Sequence, residues 1–458
     1  MGGENIKMEI KLTSYGATEK VTGSCHLLNI DGYRILIDCG MYQGDWDSYV
    51  RNWDNLLFEP SNIDAVILTH AHLDHCGRLP KLYAGGYNGP IYTTDATIDL
   101  AKIVLEDSYF IMDEKAFRKK MPKIYSQAAL TKTFNSFIPV KYYEKQSLTP
   151  DISFTLHNAG HILGSSIVEL KIANKTIVFS GDIGGQDMPL VPDTDIIEKA
   201  DYVICEGTYG DRTHHDRETR DQELIKAVQR ATLNHSTLLI TIFALERTQD
   251  ILKVLNDYYE SHLDFKVPVF LDSPMAATAT KIYKKHLEYL NQDAQDDMKR
   301  DKDIFNFPHL KITTNIRKSK EINNVPPPKI IMAGSGMMEG GRMIHHLSQY
   351  IGDHNNNILF MGFQVPGTLG HKILNGAFDF DYYGRKIEVR AVADQIDGFS
   401  AHADQKALLT WLKGFKTPKQ IFLNHGNKQV LEKFAIIIED ELKLNTQILK
   451  FNNPIVLK

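Results

Sequence analysis

The segment THAHLDH, which runs from Thr69 to His75, decides the fold of this chain. It directly follows an apolar run, Ala65–Leu68, that is typical of a buried strand. Three imidazoles and one carboxylate within six residues can converge only if the chain turns tightly, as it does between a strand and a helix. Imidazole and carboxylate together suit zinc, iron or manganese. Because so dense a group rarely arises as a solvated surface, the segment predicts a metal site at the end of a strand.

The same segment predicts ligands for two ions. Strand alternation places His70 and His72 on one side of the backbone, and Asp74 and His75, at the start of the next turn, then face a second ion. Further candidate ligands follow apolar strands and have glycine neighbours, which permit close approach of the backbone; they are His161, Asp182 and His425. A lone histidine at a strand end is usually a polar group satisfied by local hydrogen bonds. The cluster at residues 70–75 makes metal binding the favoured interpretation for these further residues. We therefore predict a dinuclear metal centre.

Composition places few limits on the partner. The chain has 458 residues, of which 43% are hydrophobic, and a net charge of −5, which neither indicates nor excludes a nucleic-acid partner. No apolar run reaches membrane-spanning length and no N-terminal stretch is typical of a signal peptide, so no membrane partner is expected. The Gly-rich leader before Met8 is expected to be an extension. The four cysteines are scattered without a CxxC pair, which favours reduced thiols in a cytoplasmic protein and excludes a Cys-rich zinc site.

The order of elements predicts one domain inserted into another. Short strands, many of which end in His or Asp, fill the first two hundred residues. From Asp221 helices alternate with strands, which predicts a parallel sheet with crossover helices. The last seventy residues add predicted strands Ile387–Val392 and Gln420–Leu423 and predicted helices Gln405–Phe415 and Lys428–Leu442. We predict that residues 1–207 and 386–458 form two parts of one domain and that residues 208–385 are the insertion.

The ordered motifs His-x-His-x-Asp-His, Gly-His and Ser-Gly-Asp, at residues 70–75, 160–161 and 180–182, resemble those of the metallo-β-lactamase fold. The resemblance implies an α/β protein built on an αββα sandwich, with the metals at one edge. Glu206 in CEGTYG, His402 in FSAHAD and His425 in NHG resemble motifs A, B and C of the β-CASP nucleases. The region between them resembles the inserted β-CASP domain, a parallel sheet flanked by helices. One position departs from that pattern, because Glu246 stands where relatives more often have glycine.

Motif C favours RNA over DNA within this family. RNA enzymes carry histidine there, as His425 does, while the DNA-repair branch usually has an apolar residue. The chain resembles the branch that includes the pre-mRNA 3′-end cleavage endonuclease and its prokaryotic relatives. The resemblance implies a ribonuclease that acts on single-stranded RNA in RNA processing or decay. It leaves open a homodimer, and it does not choose between endonucleolytic cleavage and digestion from the 5′ end.

The resemblance also implies a role for each residue of the site. One zinc ion is held by His70, His72 and His161, the other by Asp74, His75 and His425, with Asp182 bridging the two. Two zinc ions about 3.5–4 Å apart clamp the attacking and leaving oxygens and generate hydroxide at neutral pH. His402 is the expected general acid, and Glu206 orients it and favours its protonated form. Asp74 is counted among the catalytic residues with these two.

Turns later in the chain are candidates for binding RNA phosphates. Ser335 and Gly336 follow an apolar strand, and their backbone N–H groups could cradle a phosphate with Arg342 nearby. Ser400, beside His402 in sequence, and Thr368 are further candidates, although most turns of this kind are only turns. The candidates for stacking on bases are Tyr42, Tyr209 and Phe363, for which ordinary packing is an equal alternative.

Three other functions stay open at this point. The first is a DNA nuclease on the same scaffold. The second is a small-ester hydrolase, which the long insertion bounded by Glu206 and His402 disfavours. The third is a non-catalytic RNA-binding subunit, which the complete set of predicted metal ligands disfavours.

Overall fold

The computed structural model describes residues 8–119, 121–214, 217–338, 340–362, 364–365, 367–396 and 398–458. The chain divides into two compact units. The first unit holds residues up to Gln186, together with residues 193–213 and 402–458. The second holds residues 187–192 and 214–401. The Gly-rich leader lies outside the described residues.

Two seven-stranded sheets form the first unit. In spatial order the first sheet is β22 (Ile455–Leu457), β1 (Ile10–Ser14), β2 (His26–Ile30), β3 (Tyr33–Ile37), β4 (Ala65–Ile67), β5 (Ile91–Thr93) and β6 (Phe137–Pro139). The second is β21 (Thr446–Ile448), β20 (Gln420–Asn424), β11 (Tyr202–Glu206), β10 (Lys175–Phe179), β9 (Ser166–Ile172), β8 (Ile152–Asn158) and β7 (Gln146–Ser147). Strands from the C-terminal segment therefore complete both sheets, with β22 paired to β1 and β20 paired in parallel to β11.

Buried apolar side chains hold the two sheets face to face. Alternate residues of each strand, such as Leu12 and Ile35 in the first sheet and Phe154 and Leu170 in the second, share one core cluster. A second cluster joins the outer face of the second sheet to two C-terminal helices. The helices of this unit are α1 (Trp46–Val50), α2 (Leu73–Cys76), α3 (Leu79–Ala84), α4 (Asp95–Lys119), α5 (Gln127–Asn135), α13 (Gln405–Lys413) and α14 (Lys428–Leu442). The predicted αββα sandwich is confirmed.

A six-stranded sheet, in which every described pairing is parallel, forms the second unit. Its spatial order is β14 (Leu310–Ile312), β13 (Val269–Asp272), β15 (Lys329–Ala333), β12 (Thr237–Thr241), β16 (Asn357–Met361) and β19 (Val392–Ile396), and a hairpin joins β17 (Asp379–Tyr382) to β18 (Arg385–Glu388). The helices are α6 (Arg217–Leu233), α7 (Arg247–Ser261), α8 (Pro274–Lys285), α9 (Gln292–Asp301), α10 (Ile316–Glu321), α11 (Met343–Tyr350) and α12 (Leu369–Leu374). The predicted parallel sheet with crossover helices is confirmed.

The predicted strand Ile387–Val392 is wrong. The chain there ends the β17–β18 hairpin at Glu388 and begins β19 only at Val392, because β19 pairs with β16 of the second unit. The second unit extends to Ala401. The predicted boundaries at 207/208 and 385/386 stay a division made on sequence alone.

Glu246 occupies a backbone position that suits glycine. Its φ is 62°, in the left-handed region that residues with a Cβ seldom adopt. It immediately precedes α7, is fully buried, and accepts a hydrogen bond from the hydroxyl of Tyr283. The buried Glu246 side chain is therefore accommodated by a specific contact.

No helix among the described residues has the length and apolar character needed to cross a membrane.

Candidate metal centre and active site

The candidate ligands follow the carboxyl ends of strands in the first unit, in loops or, for Asp74 and His75, in the short helix α2. After β4 the backbone N–H of Thr69 donates to Asp38 Oδ1 over 2.8 Å, and α2 begins directly after His72. The remaining ligands stand after β8, β10 and β20, as His161, Asp182 and His425. The pairing of β20 with β11 brings the last of these from the C-terminal segment to the edge that holds the others.

A first group of four side chains meets at one point. His70 Nε2 lies 3.1 Å and His161 Nε2 lies 3.0 Å from His72 Nδ1. Asp182 Oδ2 lies 3.4 Å from His70 Nε2 and 3.5 Å from His161 Nε2. The atoms are close enough for all four residues to hold one metal ion.

A second group lies on the other side of Asp182. His75 Nε2 is 3.1 Å from His425 Nε2, which in turn lies 3.4 Å from Asp74 Oδ2. Asp182 Oδ1 lies 3.3 Å from His75 Nε2. Asp74, His75 and His425 together could hold a second metal ion. The two oxygens of Asp182 thus face different groups.

These distances fit zinc. With Zn–N bonds of about 2.0–2.1 Å, neighbouring ligand atoms of a tetrahedral site lie about 3.3 Å apart, close to the spacings within both groups. Asp182 Oδ1 is buried and accepts no hydrogen bond of good geometry among the described residues. A buried carboxylate oxygen without such a partner is costly unless a cation satisfies it. The donor set of nitrogens and carboxylate oxygens therefore fits the metals that the sequence predicts.

The electrostatic environment favours metal ligation. Burial lowers the pKa of His70, His72 and His161, so these imidazoles are neutral and offer lone pairs. Burial alone would raise the pKa of Asp182, but the facing imidazoles hold it well below its ordinary value. Asp182 is therefore a carboxylate anion at neutral pH.

Three residues outside the predicted set orient the ligands. Asp38 Oδ2 lies 2.7 Å from His75 Nδ1, so it fixes that imidazole with Nε2 toward the metal group. The Thr69 hydroxyl donates to Asp38 over 3.0 Å and lies 3.1 Å from His70 Nδ1. The Thr208 hydroxyl donates to Glu206 Oε2 over 2.5 Å and lies 3.1 Å from Nδ1 of His425. Each hydroxyl uses its one proton on a carboxylate and accepts from the imidazole.

Sequence reasoning missed these roles because serine, threonine and aspartate near a turn carry no distinctive pattern. Asp38 directly follows β3. Its left-handed backbone conformation, with φ of 60°, cannot be recognised from the sequence. Thr208 stands two residues after Glu206, within motif A, and that proximity was the one available hint.

His402 and Glu206 form a pair beside the first group. His402 Nδ1 lies 3.2 Å from Glu206 Oε1 and 3.8 Å from Asp182 Oδ2. Glu206 is fully buried and also accepts from the backbone N–H of Ile183 over 2.7 Å. Burial alone would lower the pKa of His402, but Glu206 and Asp182 outweigh it and raise that pKa. The His402 side chain is 18% exposed, so it is the member of the pair that solvent or a substrate can reach.

The predicted phosphate-binding residues lie in the second unit, where several have structural contacts. Arg342 pairs with the buried Asp272 and donates to the carbonyl of Thr313 over 3.1 Å. The Thr368 hydroxyl caps α12 and donates to the carbonyl of Val365 over 2.7 Å. A side chain at Gly336 would meet the Phe243 ring at 2.1 Å. Ser400 is buried, and Ser335 lies in the loop after β15. Phosphate binding by these residues stays a prediction.

One of the three candidate stacking residues is excluded. Tyr42 is 3% exposed, its hydroxyl donates to the carbonyl of Tyr15, and the guanidinium groups of Arg51 and Arg78 lie 4.2 and 4.5 Å from its ring centroid. That prediction is wrong because two cations occupy the ring. Tyr209 is partly exposed, with its ring centroid 6.0 Å from that of His402. Phe363 lies outside the described residues.

Comparison with known families matches three consecutive parts of the chain. Residues 27–189 match the metallo-beta-lactamase superfamily domain, and residues 248–373 match the Beta-Casp domain. Residues 386–449 match the Zn-dependent metallo-hydrolase RNA specificity domain.

Named relatives extend over most of the chain. Ribonuclease TTHA0252 of Thermus thermophilus is 38% identical over 92% of this chain and 94% of its own length. Transcription termination factor FttA of Methanosarcina mazei is 33% identical over 96% of this chain and 70% of its own. Integrator complex subunit 11 of Danio rerio is 28% identical over 95% of this chain and 72% of its own length.

A solved structure shares the fold. A protein of unknown function from Enterococcus faecalis V583 aligns with a TM-score of 0.55 and 12% identity over 98% of this chain and all of the other. At that identity the likeness shows the fold alone. None of the comparisons supports the homodimer that the resemblance left open.

Proposed function

We propose that this chain is a two-zinc ribonuclease that hydrolyses phosphodiester bonds in single-stranded RNA. The chain belongs to the Beta-Casp family of metallo-beta-lactamase-fold proteins. The family is shared by proteins named as a ribonuclease and as transcription termination factors. The fold alone would not select this chemistry, because metallo-β-lactamase relatives carry out many reactions. The proposal therefore depends on the site.

The observation that carries the proposal is the position of Asp182. Its Oδ2 faces the imidazoles of His70 and His161 at 3.4 and 3.5 Å, while its Oδ1 faces His75 at 3.3 Å. A carboxylate shared in this way is suited to bridging two cations. A single-metal site would leave one of these oxygens buried without a partner.

Seven side chains would hold the metals. One zinc would be held by His70, His72 and His161, the other by Asp74, His75 and His425, with Asp182 between them. When bound, a pair of zinc ions supplies a hydrolytic nucleophile from water at neutral pH and neutralises charge that develops on the phosphoryl oxygens.

The leaving ribose oxygen needs a proton, which we assign to His402. Its Nδ1 faces Glu206 at 3.2 Å, so the proton for transfer is carried on Nε2. Glu206 cannot itself reach the substrate because it is fully buried; it orients the ring and stabilises the imidazolium. The raised pKa of His402 keeps a larger fraction of the acid form near neutral pH.

RNA is the proposed substrate for three reasons. The C-terminal part of the chain matches an RNA specificity domain, and the relative with the highest quoted identity is named a ribonuclease. His425 stands at the motif C position where the RNA branch has histidine. A DNA nuclease on the same scaffold is the alternative that the experiment must separate.

The test combines metal analysis with matched substrates. Purified protein is loaded with zinc, its metal content is measured, and end-labelled RNA and DNA oligonucleotides of one sequence are digested. We expect two zinc ions per chain and cleavage of RNA in preference to DNA. Internal fragments would indicate an endonuclease, and early release of labelled mononucleotide from the 5′ end would indicate an exonuclease. A protein that cannot be loaded with metal, or that cleaves only DNA, would contradict the proposal.

A further inference from the structure

His425 has a backbone conformation that needs external support. Its φ is 49°, in the left-handed region, although it carries a full side chain. Such a conformation persists only where the surrounding structure over-determines it. The contacts that impose it therefore decide whether the imidazole reaches the second metal group.

Two contacts fix His425 from one side. Its backbone N–H donates to the carbonyl of Ala17 over 2.7 Å, and its ring Nδ1 donates to the Thr208 hydroxyl over 3.1 Å. On another side lies a cavity of about 10 Å³, lined by both His425 and His26, which has room for about one water molecule. Packing is incomplete on that side, so hydrogen bonds contribute to restraining the residue.

His26 supplies that restraint through the residue before His425. The His26 ring is buried, with 2% exposure, and its Nε2 lies 2.9 Å from Nδ2 of Asn424. On its other edge Nδ1 lies 2.8 Å from the hydroxyl of Ser14. Because Asn424 Nδ2 is a donor, Nε2 accepts and Nδ1 carries the proton to Ser14. One neutral imidazole thus ties strands β1 and β2 of the first sheet to the last residue of β20 in the second.

We propose that His26 is a positioning residue for the second metal: it holds Asn424, and through Asn424 it holds His425 in the strained conformation that aims its Nε2 at Asp74 and His75. His26 touches no metal ligand through its ring nitrogens and is no part of the motifs that define the family resemblance. The inference rests on the proposed two-metal function.

The experiment compares three variants. His26→Phe removes both hydrogen bonds and keeps a ring near Phe179, whose centroid lies 6.1 Å from that of His26. His26→Gln keeps one amide donor and acceptor. His157→Phe is the matched control, because His157 is a histidine of the same unit that is hydrogen-bonded to a side chain, Glu169 at 2.9 Å, away from the candidate metal groups. The affinities of the first and second zinc ions are measured by titration against a chelating indicator, and crystal structures of the metal-free proteins are determined.

We expect His26→Phe to bind the first zinc as wild type does and the second about 10–100-fold more weakly, the range for loss of an outer contact to a metal site. His26→Gln is expected to recover part of that loss, and His157→Phe to show none. In metal-free His26→Phe the His425 ring should move from its place beside Asp74 and His75. A merely structural role would lower thermal stability without separating the two zinc affinities.

Two results would overturn the inference. Equal second-zinc affinity in wild type and His26→Phe would do so, and so would an unmoved His425 in the metal-free variant. Wild-type protein that binds fewer than two zinc ions would instead overturn the proposed function and this inference with it. The two failures are therefore distinguishable, because the first needs a normal wild type.

Discussion

Replacing His402 with alanine gives the most direct test of the proposed proton transfer. His402 Nδ1 contacts Glu206 at 3.2 Å and approaches Asp182 Oδ2 at 3.8 Å, but His402 belongs to neither candidate metal group. The variant should therefore bind the same two zinc ions. Loss of a general acid typically slows a reaction by about 10²–10⁴-fold, which corresponds to about 3–5 kcal/mol of transition-state stabilisation.

Folding should be little affected by this substitution. Glu206 would lose one partner, but it would keep the backbone N–H of Ile183 at 2.7 Å and the hydroxyl of Thr208 at 2.5 Å. The matched control is His157→Ala, because His157 is also paired with a glutamate, Glu169 at 2.9 Å, and lies in the same unit. We expect wild-type rates from the control.

A substrate with a sulfur leaving atom isolates the proton-transfer step. A thiolate leaves without protonation, so RNA with bridging sulfur in place of the leaving oxygen should be cleaved by wild type and His402→Ala at similar rates. Because the identity of the leaving atom is part of the question, one substrate carries sulfur at the 3′ bridge and a second at the 5′ bridge. Single-turnover rates and zinc content are measured together. Loss of zinc from His402→Ala, or an equal defect on oxygen and sulfur substrates, would refute the assignment of His402 as the acid.

Three further substitutions test other parts of the site. Asp182→Asn removes the charge that faces both groups, so zinc content should fall below two per chain and cleavage should be lost; retention of both ions by elemental analysis would contradict the bridging role. Thr208→Val removes the acceptor at 3.1 Å from His425 Nδ1 and should weaken the second zinc by about 10–100-fold in chelator titrations, while the first is unchanged. Arg342→Ala removes the guanidinium partner of the buried Asp272, which keeps His346 Nε2 at 2.7 Å, so the substitution should cost about 1–3 kcal/mol in the free energy of unfolding, measured by denaturant titration; a variant of wild-type stability with a raised KM for RNA and a reduced salt dependence would instead indicate phosphate binding.

The fold was predictable because its signals are local. Apolar strands followed by His or Asp, and helices that alternate with strands after Asp221, are visible in the sequence, and motif order supplied the resemblance. The convergence of His70, His72, His161 and Asp182 could be expected for the same reason, because each stands at the end of an apolar strand. The error at Ile387–Val392 has a physical cause: a hairpin end and the start of a strand in another sheet form one continuous apolar and charged run, with no glycine or proline to separate them.

Contacts between side chains from different strand ends were not predictable. Three such side-chain hydrogen bonds join residues far apart in sequence: Asp38 with His75, Thr208 with His425, and His26 with Asn424. Small polar residues near turns are common for local reasons, so their types did not single them out. Tyr42 illustrates the opposite error: an aromatic residue near the site suggested stacking, but the sequence does not show that Arg51 and Arg78 cover its ring.

The missed contacts concentrate around the second metal group, and backbone geometry explains why. Asp38, which orients His75, and His425 itself both have left-handed backbone conformations, with φ of 60° and 49°. His70, His72 and His161, the imidazoles of the first group, show no such conformation. A ligand on a relaxed strand end is placed by the sheet, and its sequence position is therefore informative. His425 has a strained backbone and is held by side chains from other elements. These are His26 of β2, which acts through Asn424 at the end of β20, and Thr208 in the turn after β11. The family motifs thus define the first group almost completely, while the geometry of the second also depends on His26, which the motifs do not include.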